Sequence, residues 1–221
     1  MSLELAFDTF LAMDPAQARD RAYKKFFGAE SESFVDDSET PNESGAPTIE
    51  VRRYCGRPPK SGSEHDVWVT AGMSDTAMVD DDGNPVRREL IFYALPGGDY
   101  SNALRSIACV PFENQTYLDH GHSVGVFGAL FVPGGVDALM AENMESIALP
   151  HVVMLSPLIR KHQELSDELV IDNAPVEFLW VVPVSQAELD LKREEGMNAL
   201  LDIFERNKHP WIFDPTRRSY I

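Results

Sequence analysis

Asp119-His120-Gly121-His122 holds the only close pair of histidines in the chain. On an extended strand His120 and His122 would share one face, and two imidazoles with a carboxylate can hold zinc or iron. That spacing defines one alternative, a metal-dependent hydrolase using His120 and His122. No third ligand stands at a nearby spacing, and His65, His151, His162 and His209 are scattered. Asp80 to Glu89 invites a calcium reading, since Gly83 and Glu89 fall at the sixth and twelfth positions of an EF-hand loop. The first ligand position would then be Met78, which offers no hard oxygen, and the flanks read as strands, so the segment is expected to be a hairpin turn. There is no Gly-x-Ser-x-Gly elbow, no glycine-rich phosphate loop and no dinucleotide fingerprint. Cys109, at an apolar helix end, reads as a small buried side chain rather than a reactive thiolate. These residues define no catalytic machinery, and neither a cofactor nor a metal is expected.

The chain has 221 residues, 36 acidic and 19 basic, so 19 − 36 gives a formal charge of −17. With 43% apolar residues it has the composition of a soluble globular protein. A chain of this size buries about 70% of its extended surface, enough for a full core. No apolar run approaches the roughly 18–20 residues of a membrane span, and the N-terminus lacks the pattern of a signal peptide. Cys55 and Cys109 are too few for a disulfide scaffold, so a cytoplasmic address with reduced thiols is expected. A pI near 4.6 repels phosphate backbones and disfavours nucleic acid. It would steer association toward a basic protein partner. The oligomeric state stays open.

The elements that must position these residues follow from periodicity. Asp14 is placed to cap a helix, with Pro15 at its first position, Gln17 as capping-box partner, Ala18, Ala22 and Phe26 on one face, and Gly28 as a stop. Glu30 to Pro47 has six acids and no Lys or Arg, and is expected to be a flexible linker or surface loop. Ile49 to Tyr54 is a short strand. Val67, Val69 and Ala71 alternate with Trp68 and Thr70 as a half-buried strand, forming an antiparallel hairpin with Arg88 to Leu95. Asn102 to Val110 reads as a helix ended by Pro111. Phe127 to Val132 and His151 to Leu155 read as buried strands, and Val176 to Val184 as a central one. Ser185-Gln186-Ala187-Glu188 is a capping box that opens a helix to about Arg206, with Leu189, Met197, Leu200 and Phe204 buried. Glu188–Lys192 and Asp202–Arg206 are its expected ion pairs. The tail from Arg206 to Ile221 carries four basic residues against one acid and is expected to salt-link to the acidic body. The sum is an α/β fold of the α+β type, a mixed, partly antiparallel sheet flanked by helices.

His65-Asp66-Val67-Trp68-Val69-Thr70-Ala71-Gly72-Met73-Ser74-Asp75, followed by Arg88-Glu89-Leu90-Ile91-Phe92, closely resembles the sheet hairpin of Suppressor of fused domains. The order continues through Leu104-Arg105-Ser106-Ile107-Ala108, the Gly121-His122 loop, Phe178-Leu179-Trp180-Val181-Val182 and the capped helix. It closes with Pro210-Trp211-Ile212-Phe213-Asp214 before Arg217-Arg218. The resemblance covers roughly Glu64 to Ile221. The residues ahead of it read as a helical extension over 1–29 and the acidic linker over 30–47, and the resemblance implies a domain over 48–221 like the N-terminal of the family's two domains. It also implies a non-enzymatic protein-binding module. The animal relative holds a short transcription-factor peptide as an added strand, and microbial members look like immunity proteins of polymorphic toxin systems. A regulatory scaffold that sequesters an endogenous factor is the other non-enzymatic reading. In the animal family an aspartate–histidine pair lies in the peptide site. Here Gly121 replaces that aspartate, which leaves Asp119 and His122 as the partner-binding residues to expect.

Overall fold

The computed structural model describes residues 14–30, 32–34, 47–56, 64–125 and 149–221. A nine-stranded sheet runs through them: β1 (Glu32–Phe34), β2 (Glu50–Gly56), β3 (His65–Ala71), β4 (Met78–Val79), β5 (Pro85–Ala94), β6 (Ser123–Gly125), β7 (His151–Leu155), β8 (Val170–Ile171) and β9 (Ala174–Val184). The spatial order is β1-β2-β3-β5-β9-β7-β6, with β4 beside β5 and β8 beside β9. Every pairing is antiparallel except the central one, in which β5 and β9 run parallel from Arg87↔Val176 to Ile91↔Trp180. The helices are α1 (Pro15–Phe26), α2 (Ser101–Glu113), α3 (Arg160–Gln163), α4 (Leu165–Glu168), α5 (Gln186–Glu195) and α6 (Met197–Arg206).

Side chains alternate into two cores, one on each face of the sheet. Trp68, Leu90, Phe92, Met154, Leu179 and Val181 meet Leu104 and Ile107 of α2. Val67, Val69, Ile91, Tyr93, Trp180 and Val182 meet Tyr23 and Phe26 of α1, Leu165 of α4, Leu189 of α5 and Leu200 and Phe204 of α6. The mixed sheet flanked by helices is therefore the expected one. The centrality of β9 is explained by its apolar residues on both faces. β3 departs from expectation, since all seven of its residues are buried rather than half of them. The second face is covered by α1, whose Tyr23 hydroxyl donates to Thr70 O at 2.6 Å.

Several local expectations are corrected. Asp14 occupies the N-cap of α1 without accepting a capping hydrogen bond. Glu32–Phe34, inside the stretch expected to be a linker, is the edge strand β1 and pairs with β2. Asp80–Asn84 forms the tight turn, with Gly83 at positive φ, but it joins β5 to the two-residue β4 rather than directly to β3. α2 runs through Pro111 to Glu113, because a proline in the last turn forfeits only one helical bond. The expected strand at 127–132 lies outside the described residues. The capping box forms as read, with Glu188 N–H to Ser185 Oγ at 3.1 Å and Ser185 N–H to Glu188 Oε2 at 2.8 Å. The helix it opens breaks at Gly196, whose φ of 92° ends α5 and restarts the chain as α6. Glu188 pairs with Arg217 instead of Lys192, and Arg206 Nε reaches the main-chain oxygen of Asp202 instead of its carboxylate.

One buried histidine and one half-buried one make the second core sensitive to acid. His162 Nδ1 lies 2.7 Å from the Tyr93 hydroxyl, and His209 stacks on Phe204 at 4.1 Å between ring centroids. Burial pulls each imidazole down to about 4, with Lys161 and Arg217 respectively adding to the effect. Both stay neutral in the folded chain at pH values where the unfolded chain protonates them. Stability therefore falls as pH drops from about 6.5 to about 4, by about 3 kcal/mol per histidine, and is level below that window as far as these two groups are concerned. Urea denaturation at stepped pH should show this slope, and His209→Phe should remove about half of it. A stability curve flat from pH 6.5 to 5 contradicts the assignment.

Candidate functional site

The corner that holds Asp119 and His122 is built by the chain between α2 and β6. Gly121, at a φ of 83°, permits the reversal. Its N–H donates to Met154 O at 2.7 Å, and Met154 N–H donates to His122 O at 2.8 Å, so the loop is annexed to the β7 ladder. His122 N–H returns to Asp119 O at 3.0 Å. The Asp119 carboxylate accepts the His120 N–H at 2.7 Å and lies 3.5 Å from Arg88 Nη2. Arg88 is 6% exposed; its Nη1 reaches Glu177 Oε2 at 2.9 Å and Arg87 O at 3.2 Å, while its Nε has no hydrogen-bond partner. The Tyr117 hydroxyl donates to Asp81 at 2.9 Å, which raises the phenol's affinity for its proton. The corner thus gathers Asp119 and Glu177 around one buried guanidinium, with Asp81 held nearby by the Tyr117 hydroxyl.

His122 and His120 do not share a face. Gly121 turns the chain between them, so the extended geometry that would have aligned the imidazoles is absent. The His122 ring packs edge-on against Tyr117 at 4.9 Å, with Nδ1 3.3 Å from Tyr117 O. His120 Nδ1 instead accepts the Ser156 N–H at 3.1 Å. Among the described residues no three His, Cys, Asp or Glu side chains are placed to hold one metal ion. The calcium reading fails on position as well. Asp80 accepts N–H groups from its own turn, and this holds its carboxyl below the usual range. Glu89 is fully buried, bonded to Thr70, Gly72 and Ser74.

Among the described residues β6 is the last strand of the sheet on this side. Val124 is buried, Gly125 is exposed, and among the described residues only β7 pairs with it. An edge strand of this kind presents main-chain donors and acceptors that a partner strand can use. Arg88, Glu177, Tyr117 and Asp81 escaped the sequence reading. The pairing Arg88↔Glu177 exists only because β5 and β9 are parallel neighbours, and no local spacing announces that.

The architecture is that of a mixed-sheet α/β domain, with an acidic corner beside β6. The family model for the Suppressor of fused protein matches residues 45–218. The chain belongs to the Suppressor of fused family. Among solved structures it resembles a Suppressor of fused homologue from Neisseria gonorrhoeae, with a TM-score of 0.62 at 16% identity over 95% of this chain and 98% of that one. It also resembles a chain of the Sufu–Fu complex, with a TM-score of 0.57 at 12% identity over 92% and 89% of the two chains. Drosophila Suppressor of Fused follows with a TM-score of 0.53 at 12% identity, covering 93% of this chain and 50% of that protein. No curated protein sequence matches the chain. Among the described residues no helix is long and apolar enough to cross a membrane.

Proposed function

We propose that this domain acts by stoichiometric docking onto another polypeptide, as a cytoplasmic immunity protein that neutralises a basic toxin. The observation that carries the reading is membership of the Suppressor of fused family, one of whose similar structures is a complex with a protein partner. The corner supports it: Asp119 and His122 stand next to β6, which among the described residues pairs only with β7, and Asp81 and Glu177 add negative charge nearby. A net charge of −17 accelerates capture of a basic partner and disfavours edge pairing between copies. A regulatory scaffold is the second reading, favoured by the likeness to the Sufu–Fu complex.

Crosslinking in native cells, with the captured protein identified by mass spectrometry and then purified, provides the reagent for the test. The reconstituted pair should form a one-to-one complex that suppresses the partner's own activity. Asp119→Ala and His122→Ala should each weaken it by about tenfold or more, a loss of about 1.4 kcal/mol, without lowering the melting temperature. An endogenous regulatory factor in place of a toxin decides for the scaffold. A complex indifferent to both substitutions moves the interface elsewhere, and turnover of a small compound abolished by one substitution overturns the binding reading.

A further inference from the structure

The opposite end of the sheet holds a second crevice. In sheets with parallel strands, ligands settle outside the carboxyl ends where successive connections leave toward opposite faces. β5 and β9 meet that condition: α2 follows β5 onto one core and α5 follows β9 onto the other. Their pairing stops at Ile91↔Trp180, although β5 continues to Ala94 and β9 to Val184. The chain's own C-terminal segment enters the gap. Phe213 N–H donates to Tyr93 O at 2.8 Å and Phe213 O accepts the Leu95 N–H at 3.3 Å, a parallel bridge opposite Ala94. Its ring packs against Phe92 at 5.4 Å and Tyr100 at 5.8 Å, while Trp211 lies edge-on to Tyr93 at 5.4 Å. Four residues after Phe213, Arg217 donates to Pro183 O at 2.9 Å and to both oxygens of Glu188 at 2.7 and 2.9 Å.

These are the components of peptide recognition: main-chain bonds to a strand end, an aromatic pocket, and a carboxylate–carbonyl fork for one arginine. The occupant has neither helix nor strand of its own, only the short turn at Asp214–Arg217. Its anchor is a buried ion pair, whose desolvation offsets much of its attraction, so it confers register more than strength.

We propose that this crevice binds an extended segment of a protein partner bearing an aromatic residue and an arginine four positions later, and that residues 211–217 are its built-in competitor. The site is independent of the Asp119–His122 corner, at the other end of β5 and β9. A fluorescein-labelled peptide of residues 210–221 is titrated into the full-length chain and into its Arg217→Lys variant, which keeps a charge for Glu188 but loses the fork. The tethered tail competes at an effective concentration on the order of millimolar, so the variant should bind the peptide about tenfold or more tighter than the wild type. The peptide with Phe213→Ala should lose about tenfold or more. In the wild-type chain, hydrogen exchange at Leu95 and Phe213 should run about tenfold or more faster than at Ile91 and Val182, through local release of the tail. The proposal is overturned if Leu95 and Phe213 exchange only with global unfolding. It is equally overturned if the folded variant binds the peptide no better than the wild type.

Discussion

Arg19→Met should destabilise the domain by about 3–5 kcal/mol, because it strands a buried carboxylate. Glu89 is fully buried on β5 and accepts from Thr70 Oγ1 and Ser74 Oγ, each at 2.6 Å, and from the N–H groups of Gly72 and Ser74. Arg19 of α1 lies 3.9 Å away and grips Asp75 with two hydrogen bonds of 2.6 and 3.2 Å. Burial pushes the Glu89 carboxyl up, and Arg19 is the largest force holding it down, ahead of the Ser74 and Thr70 hydroxyls. Without Arg19 the carboxyl rises further. A glutamate raised above its unfolded value costs stability as pH increases, so the penalty should be larger at pH 8 than at pH 5. Adding Glu89→Gln to Arg19→Met should recover a large part of the loss in denaturant titrations. If the double variant is as unstable as the sum of the singles, the two residues are not coupled. Gly72 completes this arrangement: at a φ of 113° it passes so close to Thr48 O that a side chain would collide there.

Glu188→Ala should remove a similar amount, about 4 kcal/mol, by three routes that act together. It deletes half of the capping box of α5 and leaves Arg217, 9% exposed, without its carboxylate. Glu188 also accepts the Tyr220 N–H at 3.0 Å, so the last residues of the chain lose their tether. Burial opposes ionisation of Glu188, but Arg217 and the Ser185 N–H outweigh it and hold the carboxyl below its usual value. That contribution is present above about pH 4.5 and is lost as pH falls through the folded value. Limited trypsin digestion gives an independent readout: cleavage after Arg217 and Arg218 should become rapid in Glu188→Ala. Glu188→Gln, which keeps hydrogen-bonding capacity, should fall between the two. Unchanged protection in Glu188→Ala means that the tail is held by its aromatic residues alone.

What the sequence displays is what depends on near neighbours. The capping box occupies four consecutive residues, and the doubly apolar run of β9 needs no partner to be recognised, so both are found where they were read. The sequence suggests a continuous helix to Arg206 because Leu189, Leu200 and Phe204 keep one buried face whether or not Gly196 interrupts them. Glu188–Lys192 was an acceptable local pair until a guanidinium from far along the chain offered a bidentate contact in a drier place. At the corner, Asp119 and His122 are near neighbours in the chain, whereas Arg88 and Glu177 meet only through the register of two distant strands. His120 and His122 failed as a pair because one glycine turned the backbone between them.

The parallel contact between β5 and β9 also dictates how the molecule must be made. Its two strands are separated in the chain by α2, β6, β7, α3, α4 and β8, so the middle of the sheet is its least local pairing. High contact order slows folding, since the ends of a long loop must meet before the pairing rewards them. During synthesis, β3 and β5 can form their hairpin long before β9 leaves the ribosome. Until then the nascent chain displays an unshielded apolar strand edge, and that interval is when it most needs a chaperone.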